Sequence, residues 1–291
     1  MRNMTMVVLT TILWATRLNC TLAANPTPVP TYLALGDSLA YGMQIGRLKH
    51  EIASGDVKAA SFDTGYVDIL ARKIRATTPD LHVVDLGCPG ETTSSFISGP
   101  CAYATNGKPF GDKPLPMHVH YTGAQLAAAL GYLKNKAYQV QLITLDIGVN
   151  DLRAIEIKCS SVPSFEKCLE NNWFSTSKKI NHNLHLILEK LHSAAPKTRI
   201  FVMTYYNWLA LKHPGSNKQV RKLNQIITHE AQTVGATPVH VFAKFNKSKN
   251  QRNYLCKLSL ICGPTKDLHP TNTGYDLIAK LFYEKYHGSK T

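Results

Sequence analysis

The stretch Thr31–Gly42 reads TYLALGDSLAYG. Its first five residues, Thr31 to Leu35, form a short and largely apolar run, and continuous rather than alternating apolar character marks a strand covered on both faces, as in a parallel sheet. Gly36, Asp37 and Ser38 end the run and begin a loop. Four further runs follow: His82–Leu86 (HVVDL), Val140–Ile147 (VQLITLDI), Arg199–Thr204 (RIFVMT) and Thr237–Phe242 (TPVHVF). Helical periodicity lies between and after them, over Gly65–Ala76, Gly123–Lys134, Trp173–Ala194, Gln219–Val234 and Thr271–Tyr286. In the last segment Tyr275, Ile278, Ala279 and Phe282 share one face. Strand and helix in alternation predict an α/β fold, a three-layer sandwich on a five-stranded parallel sheet with right-handed crossovers. Ligands of such sheets bind beyond the carboxyl ends of the strands, so the loops after each run are where chemistry is expected.

The rest of the chain fits that frame. It has 291 residues, 44% hydrophobic and 18% charged, enough to bury a core and too ordinary for a disordered, collagenous or multi-span membrane chain. Lys and Arg number 33 against 19 Asp and Glu, a net charge of +14. At the start, Arg2, the apolar run Met6–Ala15 and the cleavage chemistry of Leu22–Ala24 read as a secretory signal peptide over residues 1–24. The apolar run is too short to span a bilayer, which takes about 20 residues. Asn19 is too bulky for a lipid-anchoring site at Cys20. A Pro-rich spacer over 25–30 and a single domain over 31–291 follow, and the expected location is secreted.

Seven cysteines become six once Cys20 leaves with the leader. An even count in an exported chain suggests disulfides. Six cysteines allow 15 pairings and order alone does not choose, but their clustering favours Cys88 with Cys101, Cys159 with Cys168, and Cys256 with Cys262. No C-x-x-C occurs, and the His118-x-His120 pair on a Pro-rich loop is weak as a ligand set, so neither a metal nor another cofactor is expected.

Four loops carry residues of chemical interest: Gly36–Gly42 (GDSLAYG), Gly87–Ser95 (GCPGETTSS), Ile147–Leu152 (IGVNDL) and Lys266–Tyr275 (KDLHPTNTGY). Ser38 alone would serve as a helix cap. Ala40 stands where the nucleophile elbow of the α/β-hydrolases requires a second glycine, and no phosphate loop follows a strand, so those two classes drop away. Taken together and in this order, the four loops resemble the SGNH hydrolases of the GDSL lipase and esterase family over about Thr31–Tyr286. The six clustered cysteines are similar to those of its secreted bacterial members.

That resemblance implies a serine ester hydrolase working through an acyl-enzyme, with Ser38 as nucleophile and His269 as base. The oxyanion donors it implies are the backbone N–H groups of Ser38 and Gly90 and the side-chain amide of Asn150. The family places an aspartate three residues before the histidine, where this chain has Lys266; Asp267 stands two before. Either the Asp267 carboxylate reaches the His269 ring through a shifted turn, or the Lys266 carbonyl orients it. The substrate class stays open among lipid, aryl and carbohydrate esters, with a carbohydrate O-acetyl esterase, or a non-catalytic binding protein on the same scaffold, as rivals. Tyr205, Tyr206, Trp208 and Leu209 could line an acyl pocket or simply pack. Lys244, Lys247, Lys249 and Arg252 form a basic cluster, a solvated face or a weak attractor of anionic surfaces. No nucleic-acid motif accompanies it, and a monomer is expected.

Overall fold

The computed structural model describes residues 28–106, 114–247 and 249–288. The proposed leader, Cys20 and the first half of the spacer lie outside the described residues. The chain runs β1 (Thr31–Gly36), α1 (Ile45–Ser54), α2 (Tyr66–Arg75), β2 (His82–Asp85), α3 (Thr93–Ser98), α4 (Ala102–Asn106) and α5 (Gln125–Lys136). It continues through β3 (Val140–Asp146), α6 (Val149–Cys159), α7 (Phe165–Ala194), β4 (Arg199–Met203), α8 (Asn217–Thr233) and β5 (Thr237–Val239). Two helices, α9 (Phe242–Phe245) and α10 (Gln251–Leu258), lead to the last, α11 (Asn272–Gly288).

All five strands are parallel, in the order β2-β1-β3-β4-β5. Leu33, Leu35, Ile143, Leu145, Phe201 and Val202 are buried on both faces of the sheet, which is why these strands read as unbroken apolar runs. Helices α2 and α11 pack together, as do α5, α7 and α8. Strand order reverses between β1 and β3, and the crevice beyond that point is where an open α/β sheet binds its ligand. The loops bearing Ser38 and Asn150 flank it.

Three boundaries differ from expectation. Helix α7 starts at Phe165, eight residues before the expected Trp173, because Phe165, Leu169 and Trp173 extend the buried stripe that continues through Ile180, Leu184, Ile187 and Leu191. Strand β5 stops at Val239: the Val241 N–H donates to Thr204 Oγ1 (3.1 Å) and the chain leaves the ladder, so Phe242 opens α9 instead. Helix α6 was unmarked by any long apolar period; it starts after Gly148, whose φ of 111° lets the chain turn out of β3. The three disulfides join the neighbouring pairs Cys88–Cys101, Cys159–Cys168 and Cys256–Cys262, with Cα–Cα distances of 5.8, 5.7 and 5.2 Å.

Candidate active site

Strand β1 delivers Ser38 through a turn locked from below. Gly36 pairs with Asp146, and a Cβ on Gly36 would lie 2.4 Å from the Asp146 carbonyl oxygen, so only glycine passes here. Asp37 and Asp146 are both fully buried. Asp37 Oδ1 accepts from the Leu39 N–H (2.9 Å) and Oδ2 from the Tyr205 hydroxyl (2.9 Å). Asp146 Oδ1 accepts from the Tyr66 hydroxyl (2.6 Å), and Oδ2 from the N–H groups of Asp37 (3.2 Å) and Ala40 (3.3 Å). Burial, and then the neighbouring Asp37 charge, pushes Asp146 well above the ordinary carboxylate range, and burial raises Asp37 as well. Two buried carboxyl groups this close, with the Asp37 N–H bonded to Asp146, disfavour a second negative charge. Gln125 completes the lock, accepting from the Gly36 N–H (2.7 Å) and donating to its carbonyl (2.9 Å).

The loop before α11 brings His269 to the serine. His269 Nε2 lies 2.9 Å from Ser38 Oγ, and Nδ1 lies 2.6 Å from Asp267 Oδ1. The open question about Lys266 therefore has a geometric answer: the Asp267 carboxylate, not the Lys266 carbonyl, meets the ring. Lys266 takes a left-handed conformation (φ 48°), which turns the chain early enough for a carboxylate two residues before the histidine to curl back. Asp267 Oδ1 also accepts from the His269 N–H (3.1 Å), and Oδ2 from the Ile45 N–H at the start of α1 (2.7 Å). Burial alone would raise the Asp267 pKa, but these bonds and the facing imidazole hold it below the ordinary carboxylate value.

Opposite stand the remaining candidates. Asn150, in the first turn of α6, donates through Nδ2 to the Glu91 carbonyl (2.9 Å), which fixes the amide and leaves its second N–H for another acceptor. Gly90 has φ 78°, and a Cβ there would meet the Tyr103 ring at 2.7 Å. The Cys88–Cys101 bridge and the Cys88 N–H bond to the Gly36 carbonyl (3.0 Å) hold this loop against β1. Among the described residues no acceptor engages the N–H of Ser38 or Gly90.

A cleft of about 60 Å³ opens at the serine, lined by Ser38, Asn150, Arg153, Tyr206, Trp208 and His269 among others. Tyr205 also lines it, while Leu209 and Gly90 do not. One wall is braced from outside. Glu156 accepts from Arg153 and from the Trp208 Nε1–H (3.2 Å), so a single carboxylate orients both side chains. Gln125, Glu156, Tyr66 and Asp146 were not singled out from sequence; an apolar-run reading is blind to buried polar residues placed far apart along the chain. His118 hydrogen-bonds the Tyr41 carbonyl (3.0 Å) and faces Asp63, and His120 is exposed. Among the described residues no three His, Cys, Asp or Glu side chains gather as a metal site.

The sequence profile of the GDSL-like Lipase/Acylhydrolase family matches residues 34–277. Among solved structures, phospholipase A1 from Streptomyces albidoflavus NA297 is similar, at 18% identity over 89% of this chain and 99% of its own, with a TM-score of 0.57. An extracellular lipase from Streptomyces rimosus is 15% identical over 88% and 99%, with a TM-score of 0.56. A catalytic mutant of an acetylxylan esterase from Geobacillus stearothermophilus is 14% identical over 88% and 93%, with a TM-score of 0.52. At such identities the likeness speaks to the fold alone. No curated protein sequence matches the chain.

Proposed function

Because this chain belongs to the GDSL-like lipase/acylhydrolase family, we propose that it is a secreted serine carboxylic-ester hydrolase that works through an acyl-enzyme on Ser38. The observation that carries this reading is the continuous line from Ser38 Oγ to His269 Nε2 (2.9 Å) and from His269 Nδ1 to Asp267 Oδ1 (2.6 Å). In it, Ser38 attacks the ester carbonyl as His269 takes its proton, and Asp267 holds the ring tautomer and stabilises the imidazolium. The N–H groups of Ser38 and Gly90 and the Asn150 amide receive the oxyanion. His269 then protonates the leaving alcohol. Water, activated by the same base, breaks the acyl–serine bond and releases the carboxylic acid. Three disulfides support a destination outside the reducing cytosol.

Cleft size favours a short acyl group. A single water takes about 10–15 Å³ on this measure, so about 60 Å³ encloses only a few heavy atoms. A nitrophenyl ester panel should therefore show higher kcat/KM on acetate and butyrate than on laurate. The small cleft and its Trp208 wall also favour the second reading, a carbohydrate O-acetyl esterase, for which acetylated xylan in the same panel is the check. Removing that wall by Trp208→Ala should raise kcat/KM on octanoate at least about tenfold relative to acetate, the worth of a few methylenes gaining room. An unchanged chain-length profile would remove Trp208 as the limit.

The Cys88–Cys101 bridge closes a loop across a sequence separation of 13, worth about 3 kcal/mol in the chain-entropy model. Because that loop presents Gly90, titration with reductant should lower turnover before far-UV circular dichroism changes. Parallel loss of both signals would contradict a local role.

A further inference from the structure

From Ala231 to Lys266 the chain carries six cationic side chains, Lys244, Lys247, Lys249, Arg252, Lys257 and Lys266, and no aspartate or glutamate. All six are exposed. Among the described residues none of them enters an ion pair, whereas Lys58, Lys73 and Lys218 each find an acidic partner. Their charge is therefore unopposed within this segment, and the field of such a cluster reaches into solvent.

The segment is also fastened to the catalytic loop. The Cys256–Cys262 bridge clips the end of α10 to the turn that follows. From that turn the Leu260 N–H donates to the His269 carbonyl (2.9 Å), while the Thr271 N–H returns to the Leu258 carbonyl (3.0 Å). At the other end of the segment, Asn246 accepts from the Asn207 N–H (2.8 Å) and donates to its carbonyl (2.9 Å), and Phe245 stacks on Tyr206 of the cleft wall, so α9 and α10 are both fastened to elements that border the site. Arg153 lines the cleft with its charge already paired to Glu156, and among the described residues no carboxylate lines the cavity.

Unopposed positive charge suits either an anionic lipid surface or an acidic polysaccharide. Peripheral binding to a bilayer also needs apolar side chains that insert. Among the described residues the exposed large apolar ones are Val29, Ile52, Tyr138, Ile157, Val162 and Phe174, and none belongs to this segment. We propose that the face formed by α9, α10 and the loop before Asp267 docks an acidic polysaccharide, a chain of uronic acid units bearing short O-acyl esters, and delivers those esters to Ser38. This inference rests on the ester-hydrolase reading and names its substrate class.

The test compares wild type with the Lys244→Gln, Lys247→Gln, Lys249→Gln, Arg252→Gln quadruple variant on three substrates: O-acetylated polygalacturonate, neutral acetylated xylan and nitrophenyl acetate. The variant should show a KM on the acidic polymer raised at least about tenfold, in the range that electrostatic focusing supplies, with kcat and both neutral substrates unchanged. Wild-type KM on that polymer should rise between about 10 and 100 mM salt, as the screening length falls from about 30 to 10 Å, while the variant stays flat. Non-acetylated polygalacturonate should bind wild type in calorimetry and not the variant, a readout that needs no catalysis. Equal KM values, or an equal loss on all three substrates, would overturn the proposal. So would sedimentation with phosphatidylglycerol vesicles that polygalacturonate does not compete away, which would assign the face to membranes. Failure of wild type to hydrolyse nitrophenyl acetate would instead refute the hydrolase reading, whatever the polymer does.

Discussion

Replacing Ser38 with alanine is expected to lower kcat on nitrophenyl acetate by about 10⁴- to 10⁶-fold, the scale seen when a serine hydrolase loses its nucleophile. The variant removes one oxygen and nothing that supports the fold. The turn that carries residue 38 is fixed by Asp37, Asp146 and Gln125, whose bonds run to main-chain groups of Gly36, Asp37, Leu39 and Ala40. Thermal unfolding should therefore match wild type, which separates loss of chemistry from loss of structure. A fluorophosphonate probe provides the second readout: wild type should gain one covalent adduct, and Ser38→Ala none. An adduct that survives the substitution would place the nucleophile elsewhere. Folded wild type that gains no adduct would favour a scaffold that binds without catalysing.

The second large effect belongs to Asp267→Asn, for which a loss of about 10⁴ in kcat with little change in KM is expected. Asp267 engages the ring at 2.6 Å, its own backbone turn at 3.1 Å and the Ile45 N–H at 2.7 Å. An amide can keep some of these bonds, so the turn survives. What it cannot do is stabilise an imidazolium, and it rewards the wrong ring tautomer. Asp267→Ala should lose the same activity and, in addition, about 1–3 kcal/mol of stability, because the Ile45 N–H is left without its acceptor. If the Lys266 carbonyl were the true orienting group, Asp267→Asn would cost less than tenfold. Paired kcat and melting measurements on both variants decide between these accounts.

The fold was legible where burial leaves a local mark. Strands β1, β3 and β4 announce themselves because both of their faces are covered, and α11 because Tyr275, Ile278, Ala279 and Phe282 repeat at helical spacing. A parallel sheet pointed to the loops at one edge, and Ser38, Asn150 and His269 were picked out within those loops by their resemblance to the GDSL family. The supports beneath them were not. Tyr205 reaches Asp37 across a sequence separation of 168, and Gln125 reaches Gly36 across 89. Contacts that long write no period into the chain. Lys266 shows the same limit in miniature: its left-handed backbone, which brings Asp267 into reach, has no glycine or asparagine to advertise it.

The floor under Ser38 has a consequence for any study in varied ionic strength. Asp37 and Asp146 are satisfied by tyrosine hydroxyls and amide hydrogens, with no lysine or arginine among their described partners. A cradle of neutral donors deep in the interior is nearly deaf to dissolved ions. Sodium chloride should thus leave the intrinsic turnover of a small uncharged ester untouched, and whatever salt does to a larger substrate reports on capture at the rim.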